Sequence, residues 1–219
     1  MILLYGARYS VYTRIVRMVL AEKGLACELV ETDVFASGGP PGEHLARHPF
    51  GRIPVLDHDG FVLYETSAIT RYLDEAFPGP TLQPGGPRQR ARMNQIIGIL
   101  DAYAFQTLVW DIYVERAAPA EHGRPSDERL ISAALPRAAT ILAELDRLSD
   151  GTPIFSGPAV TLADLHAVPM LTLFALTDEG QGLLGDVPKL ATWLAAIAAR
   201  PSVAATRFVE EGGEAALSR

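Results

Sequence analysis

The chain has 219 residues, enough for one or two domains at roughly 150 residues each, and 48% of them are hydrophobic and 21% charged, as in globular chains that build a core. Twenty-six acids against nineteen bases leave a net charge of −7, which excludes a general nucleic-acid binder, and the single cysteine, Cys27, excludes a disulfide framework or a multi-cysteine metal site. Leu190 to Ala199, the longest apolar stretch, is too short to span a bilayer, and Met1 to Tyr5 lack the length and basic start of a secretory signal, so a cytoplasmic protein without nucleic-acid or membrane partners is expected.

In chain order, Ile2 to Tyr5 reads as a strand, and Val11 to Lys23 as a helix with apolar residues at 11, 15, 18 and 19 and Gly24 at its C-terminal cap. A second strand is expected from about Cys27 to Val34, then a loop over Ser37 to Gly42. Ile53 to Leu56 and Phe61 to Tyr64 flank Asp57-His58-Asp59-Gly60 and predict a hairpin. Ile69, Tyr72, Leu73 and Phe77 mark a helix stopped at Pro78, and the proline- and glycine-rich residues 79–88 read as a linker. Beyond it every periodic segment is helical: Met93, Ile96, Ile97, Leu100 and Ala104 form one stripe, Ile131 to Leu145 a second, and Leu190, Trp193, Leu194 and Ile197 a third. Pro136 and Pro169 should kink or interrupt their helices, and Thr161-Leu162-Ala163-Asp164 is a capping-box signature. The expectation is a βαβ-α-ββα domain over 1–78 followed by an all-α domain over 89–219.

Ligands of open α/β layouts gather outside the carboxyl ends of strands, which directs attention to the Gly6–Tyr12 loop. Ser10 there can be an ordinary N-cap, a hydroxyl donor to an anion such as a thiolate, or both at once. Ser10-Val11-Tyr12-Thr13 occupies the turn where thioredoxin-like redox proteins carry Cys-x-x-Cys, and without either cysteine this chain alone cannot run a disulfide relay. Cys27 reads as a small hydrophobe. Arg52-Ile53-Pro54-Val55 places a proline at the start of a strand, where a missing donor is tolerated. Glu65-Thr66-Ser67 can cap the next helix or form a polar pocket for a ligand's ammonium or carboxylate.

Four segments, in order, resemble the cytosolic glutathione transferases of the phi- and theta-like bacterial kind. Tyr5-Gly6-x-x-x-Ser10-x-x-Thr13-Arg14-x-Val16 is similar to the phi-class loop with a catalytic serine; Leu45 to Leu56 to the family's Asn-Pro-Phe-Gly-x-Val-Pro-x-Leu, whose proline is cis; Leu63 to Thr70 to its Glu-Ser-x-Ala-Ile; and Thr161 to Asp164 to its helical capping box. The resemblance implies a thioredoxin-like first domain that binds glutathione as co-substrate and an all-helical second domain contributing the electrophile site. It assigns catalysis to Ser10, with Tyr5 as rival donor, and glutathione binding to Arg52, Ile53, Pro54, Glu65 and Thr66. Tyr9, Tyr12, Trp110 and Tyr113 are candidate contacts of a small-molecule electrophile, and no metal is called for. Tyr103, Phe105, Trp110 and Tyr113 also give the helix after the linker the aromatic density of an interface, in line with the homodimer the resemblance implies. Three positions depart from the pattern: His48 replaces an Asn, Thr66 a Ser, and residues 36–42 lack the Lys or His that grips the glycyl carboxylate, leaving His44 and Arg14 as substitutes. The expected activity is detoxifying thiolate transfer; a glutathione-dependent peroxidase or isomerase, or a non-catalytic binding protein, is the alternative.

Overall fold

The computed structural model describes residues 1–117, 123–149, 155 and 159–213, which group into two units: Met1–Thr81 together with the residues from Arg200 on, and Leu82–Ala199. In the first unit the elements run β1 (Ile2–Gly6), α1 (Val11–Glu22), β2 (Glu28–Glu31), α2 (Gly42–Arg47), β3 (Val55–His58), β4 (Phe61–Tyr64) and α3 (Thr66–Ala76). The sheet order is β2-β1-β3-β4, with β1 parallel to β2 and antiparallel to β3, and β3 antiparallel to β4. Asp59 and Gly60 both take positive φ, 52° and 89°, which suits the tight two-residue connection that a right-twisted hairpin favours. Ile2 and Leu4 point from alternate positions of β1 into a core that includes Ile15, Val19, Val55, Leu56, Ile69 and Leu73. α1 and α3 pack against each other, and Gly24, at φ 65°, follows the end of α1 in the left-handed conformation its sequence position calls for.

Two ion pairs bring the C-terminal segment back onto α1. Arg200 and Ser202 both donate to the Glu22 carboxylate, and the fully buried Arg14 donates to Glu211 while its guanidinium lies 4.4 Å from the Phe208 ring centroid. The chain from Arg200 on is therefore grouped with the α/β unit and not with the helical one, a correction to the expected division, which no periodicity within residues 200–213 announces. A second buried cation, Lys23, donates to the backbone of Asp74 and Pro80 and to the Asp74 carboxylate, fastening α1 to α3 and to the start of the linker.

The second unit contains α4 (Pro87–Ile99), which continues as a π-helical segment over Leu100–Val114, then α5 (Glu128–Leu148), α6 (Leu162–Phe174), α7 (Asp178–Gly185) and α8 (Pro188–Ile197). The apolar stripes read from the sequence are its core: Met93, Ile96, Leu100, Ala104, Ile131, Ala138, Leu142, Leu145, Leu190 and Trp193 are all buried. Neither Pro136 nor Pro169 interrupts its helix. A mid-helix proline costs about 3 kcal/mol through its lost N–H and ring clash, and a single buried Val, Leu, Ile, Phe or Met returns about 1.5–3 kcal/mol, so helices with five or more such residues absorb it. Asp164 organises the start of α6. It accepts from the Thr161 N–H at 2.8 Å and hydroxyl at 2.7 Å, the Phe155 N–H at 2.9 Å and the Trp193 indole at 2.8 Å. Among the described residues no helix is long and apolar enough to cross a membrane.

Candidate functional site

Register decides which loops meet. Tyr5, near the end of β1, pairs with Val55 at the start of β3, and Val55 pairs in turn with Tyr64 at the end of β4. Antiparallel pairing therefore brings the segment after β1, the segment before β3 and the segment after β4 to one edge of the sheet. Ser10, Arg52-Ile53-Pro54 and Glu65-Thr66 all lie there, as do the N-termini of α1 and α3.

Ser10 is the N-cap of α1, with extended backbone, and its Oγ accepts from the Thr13 N–H at 3.2 Å. An oxygen that accepts this bond keeps its own proton for donation, so the capping and donor readings of the sequence are compatible. No acidic residue stands in the first turn of α1, which leaves the partial positive charge of that terminus available to an anion. Tyr9 is directed elsewhere: its hydroxyl donates to Asp33 at 2.6 Å, and burial together with that carboxylate pushes its pKa well above the ordinary phenol value. Tyr12 is half-buried on α1. Tyr5, the rival donor, has the Arg47 guanidinium 4.3 Å from its ring centroid. Cys27 lies just before β2 rather than within it, and burial pushes its thiol up to about 11, in keeping with an unreactive side chain.

The Ile53–Pro54 peptide is cis, as the resemblance implies, while β3 begins only at Val55, so Pro54 precedes the strand instead of opening it. Arg52 is exposed, Ile53 half-buried and Pro54 buried. Glu65 occupies the N-cap of α3 at φ 71°, a left-handed conformation that costs a side-chain-bearing residue of order 1–3 kcal/mol. Its side chain makes no capping bond and is exposed, whereas Thr66 behind it is buried. A strained, exposed carboxylate beside a free helix start is suited to receive a cationic group. Sequence alone gives no sign of that conformation, since Gly or Asn is the usual occupant of positive φ.

The two substitutes for the missing glycyl anchor are both committed to other bonds. Arg14 is buried on Glu211 and Phe208, and His44, buried on α2, has its Nε2 2.7 Å from the Arg52 carbonyl. His48 is also buried; its Nδ1 accepts from the Phe50 N–H at 3.3 Å, and its ring centroid lies 4.5 Å from that of Tyr64. Burial lowers its pKa, with Glu65 opposing and His44 and Arg52 adding to the effect. The roles of His44 and His48 escape sequence reading because each contact belongs to a loop turn, not to a helix or strand period.

Trp110 and Tyr113 belong to the second unit, on the π-helical segment. Trp110 is 37% exposed and meets Phe105 edge-on at 6.4 Å, and Tyr113 is half-buried. Among the described residues no group of three or more His, Cys, Asp or Glu side chains could hold a metal ion.

Comparison with known proteins follows the same division. Residues 4–81 match the family described as "Glutathione S-transferase, N-terminal domain" and residues 128–196 the one described as "Glutathione S-transferase, C-terminal domain". The chain is 27% identical to Glutathione S-transferase F13 of Arabidopsis thaliana over 201 residues, 91% of each chain. The crystal structure of glutathione transferase F7 from Populus trichocarpa superposes with a TM-score of 0.84 at 26% identity, over 94% of this chain and 97% of that one. A glutathione S-transferase structure from Rhodospirillum rubrum F11 gives 0.79 at 28%, over 94% and 91%.

Proposed function

Because the chain belongs to the cytosolic glutathione transferase family, we propose that it binds glutathione at the β1–β3–β4 edge and uses the Ser10 hydroxyl to stabilise the thiolate for attack on an electrophilic small molecule. The observation that carries this reading is the convergence on one sheet edge of a serine-capped helix start, the Arg52-Ile53-Pro54 segment and the exposed Glu65 carboxylate. An ordinary thiol has pKa ~8.5, and a helix N-terminus with a directed hydroxyl donor lowers it toward neutrality. In this reading Ser10 donates to the sulfur, the main chain of Ile53 pairs with the tripeptide, and Glu65 and Thr66 receive its γ-glutamyl end. Sulfur then supplies the electron pair of the new bond to the electrophile, whose leaving group departs with its own pair. Of the aromatic candidates, Tyr12 on α1 is the proposed electrophile contact in this unit, since the Tyr9 hydroxyl is taken by Asp33. A homodimer in the cytoplasm, acting in detoxification, completes the proposal.

The test is turnover of a chlorodinitroarene with glutathione, beside a melting titration with glutathione alone. Binding to the folded state should stabilise it by about 2.7 kcal/mol at a hundredfold excess over Kd. No melting shift at millimolar glutathione would reject the reading. A shift without turnover of that arene, an isomerisable substrate or a peroxide would support the non-catalytic alternative, which the commitment of Arg14 and His44 to other partners favours.

A further inference from the structure

We infer that His44 is a positioning residue for glutathione, holding the Arg52-Ile53-Pro54 segment in place through the Arg52 carbonyl; the assignment rests on the proposed function and deepens it. A carbonyl oxygen only accepts, so the 2.7 Å contact at Nε2 requires the proton on Nε2, and in the neutral ring Nδ1 is then a bare lone pair. Nδ1 is buried with no hydrogen-bond partner. A buried imidazole that spends one nitrogen on a loop carbonyl and leaves the other unsatisfied is poorly explained as core filling, because an apolar side chain of like volume would remove the unsatisfied atom. What it does supply is a fixed point on a loop that otherwise has few.

The surrounding turn has the same logic. From His48 to Pro54 the chain has no strand or helix ladder. The Gly51 N–H closes a turn onto the His48 carbonyl at 2.9 Å, with Gly51 at φ 62°, and the His48 Nδ1 accepts from Phe50 at the near side of that turn. His44 fastens the far side, one residue before Ile53. His44 and His48 are one helical turn apart, joined by the His48 N–H to His44 carbonyl bond that ends α2, so a single short helix braces both sides of the loop. Main-chain pairing of Ile53 with a tripeptide depends on that backbone being held before the ligand arrives, which is how preorganisation raises affinity.

His44→Phe keeps the ring and removes the donor; His44→Gln restores an N–H donor. Glutathione Kd by calorimetry should rise roughly three- to tenfold in His44→Phe, the range of one neutral hydrogen bond, and recover at least partly in His44→Gln. The pH profile of kcat should not move, because the thiol's own donor is untouched. An unchanged Kd in a folded His44→Phe protein overturns the assignment, as does an alkaline shift of the kcat profile, which would place His44 at the thiol. If His44→Phe does not fold, a long-range 1H–15N spectrum of the wild-type protein decides: an Nε2-protonated ring hydrogen-bonded at that nitrogen supports the brace, and an Nδ1-protonated ring overturns it. Failure of wild-type protein to bind glutathione is a separate result, which rejects the proposed function and this assignment with it.

Discussion

The helical unit and the β1–β3–β4 end of the α/β unit use charge differently, although the α/β unit has buried ion pairs of its own at Arg14–Glu211 and Lys23–Asp74. In the helical unit the ionisable side chains pair with one another: Arg116 bridges Glu128 and Glu179, Arg124 pairs with Glu115, and Arg137 with Asp111. Glu115 also accepts from the Asp127 N–H, which ties the residue after the π-helical segment to the N-cap of α5. At the sheet edge of the α/β unit, by contrast, Arg52 and Glu65 are exposed, and Ser10 presents a hydroxyl proton beside a helix start without acidic residues. Charges that satisfy each other hold a scaffold; polar groups held open by backbone geometry are available to a ligand. On the proposed function the chemistry belongs to the first unit, and single changes in the two regions should fail differently, one in stability and the other in reactivity.

The sharpest break in that comparison is at Asp164. Burial raises its carboxyl pKa, against four donors that favour the charged form. Asp164→Ala strands the Phe155 and Thr161 N–H groups and the Trp193 indole, and each bond to a charged group is worth about 1.5–3 kcal/mol. The expected loss is on the order of 4 kcal/mol, among the largest for a single substitution. Denaturant melts should register it, while the pH profile of turnover per folded molecule stays where it was. A profile that moves would show that the helical unit reaches the reacting atoms.

Ser10→Ala should show the opposite pattern. Losing a charge-assisted hydrogen bond of roughly 1.5–3 kcal/mol raises the bound thiol pKa by about one to two units and lowers activity at neutral pH ten- to a hundredfold. Stability should fall by only about 1 kcal/mol, the cost of the N-cap bond to Thr13. Tyr5→Phe is the control. If it abolishes turnover and Ser10→Ala does not, the thiol donor is Tyr5, and a thiol titration unmoved by either substitution favours the binding-protein reading.

Legibility in the sequence followed the range of the interactions. Helical stripes such as Met93-Ile96-Ile97-Leu100-Ala104 are local patterns and appear where the sequence places them; the hairpin is there too, but Asp57 and His58 belong to β3 and the turn is Asp59-Gly60 alone, not the four residues expected. The Thr161–Asp164 capping box was equally readable, but not the Trp193 indole that Asp164 also binds, because that bond joins residues 29 apart. The return of Arg200 and Glu211 to α1 crosses nearly the whole chain, so no window of sequence contains it. At the site, the residue types were legible and their conformations were not: Ser10 carries its N-cap in its identity, while the left-handed Glu65 and the His44 bond to Arg52 are imposed by tertiary surroundings. Trp110 and Tyr113 show why the substrate stays unread, since partly exposed aromatics on a helix serve packing, interfaces and ligands alike.

Acid separates the two units by the smallest of these effects, and through two different groups. His48, in the loop before β3, has its pKa lowered from 6.5, first by burial and then by His44 and Arg52, with Glu65 opposing. Above its ordinary value both folded and unfolded states hold it neutral, so its contribution is fully present. As pH falls below 6.5 the unfolded chain takes up a proton that the folded loop refuses, and stability is lost until pH passes the lowered value. Glu115 is held down from 4.5 to about 2, first by Arg124 and then by the Asp127 N–H. Its contribution is present above about pH 4.5 and is lost as pH falls from there through about 2. Descending from neutrality, the loop at residues 48–54 should therefore lose protection first, and the Glu115–Arg124–Asp127 junction should hold for roughly two further pH units. Hydrogen exchange read by NMR between pH 7 and pH 3 checks the order. Replacing His48 by Asn, which removes the titrating ring, should abolish the earlier transition and leave the later one in place. If the junction loosens first, or both regions open in one window, the loop before β3 and the helical unit do not divide charge in this way.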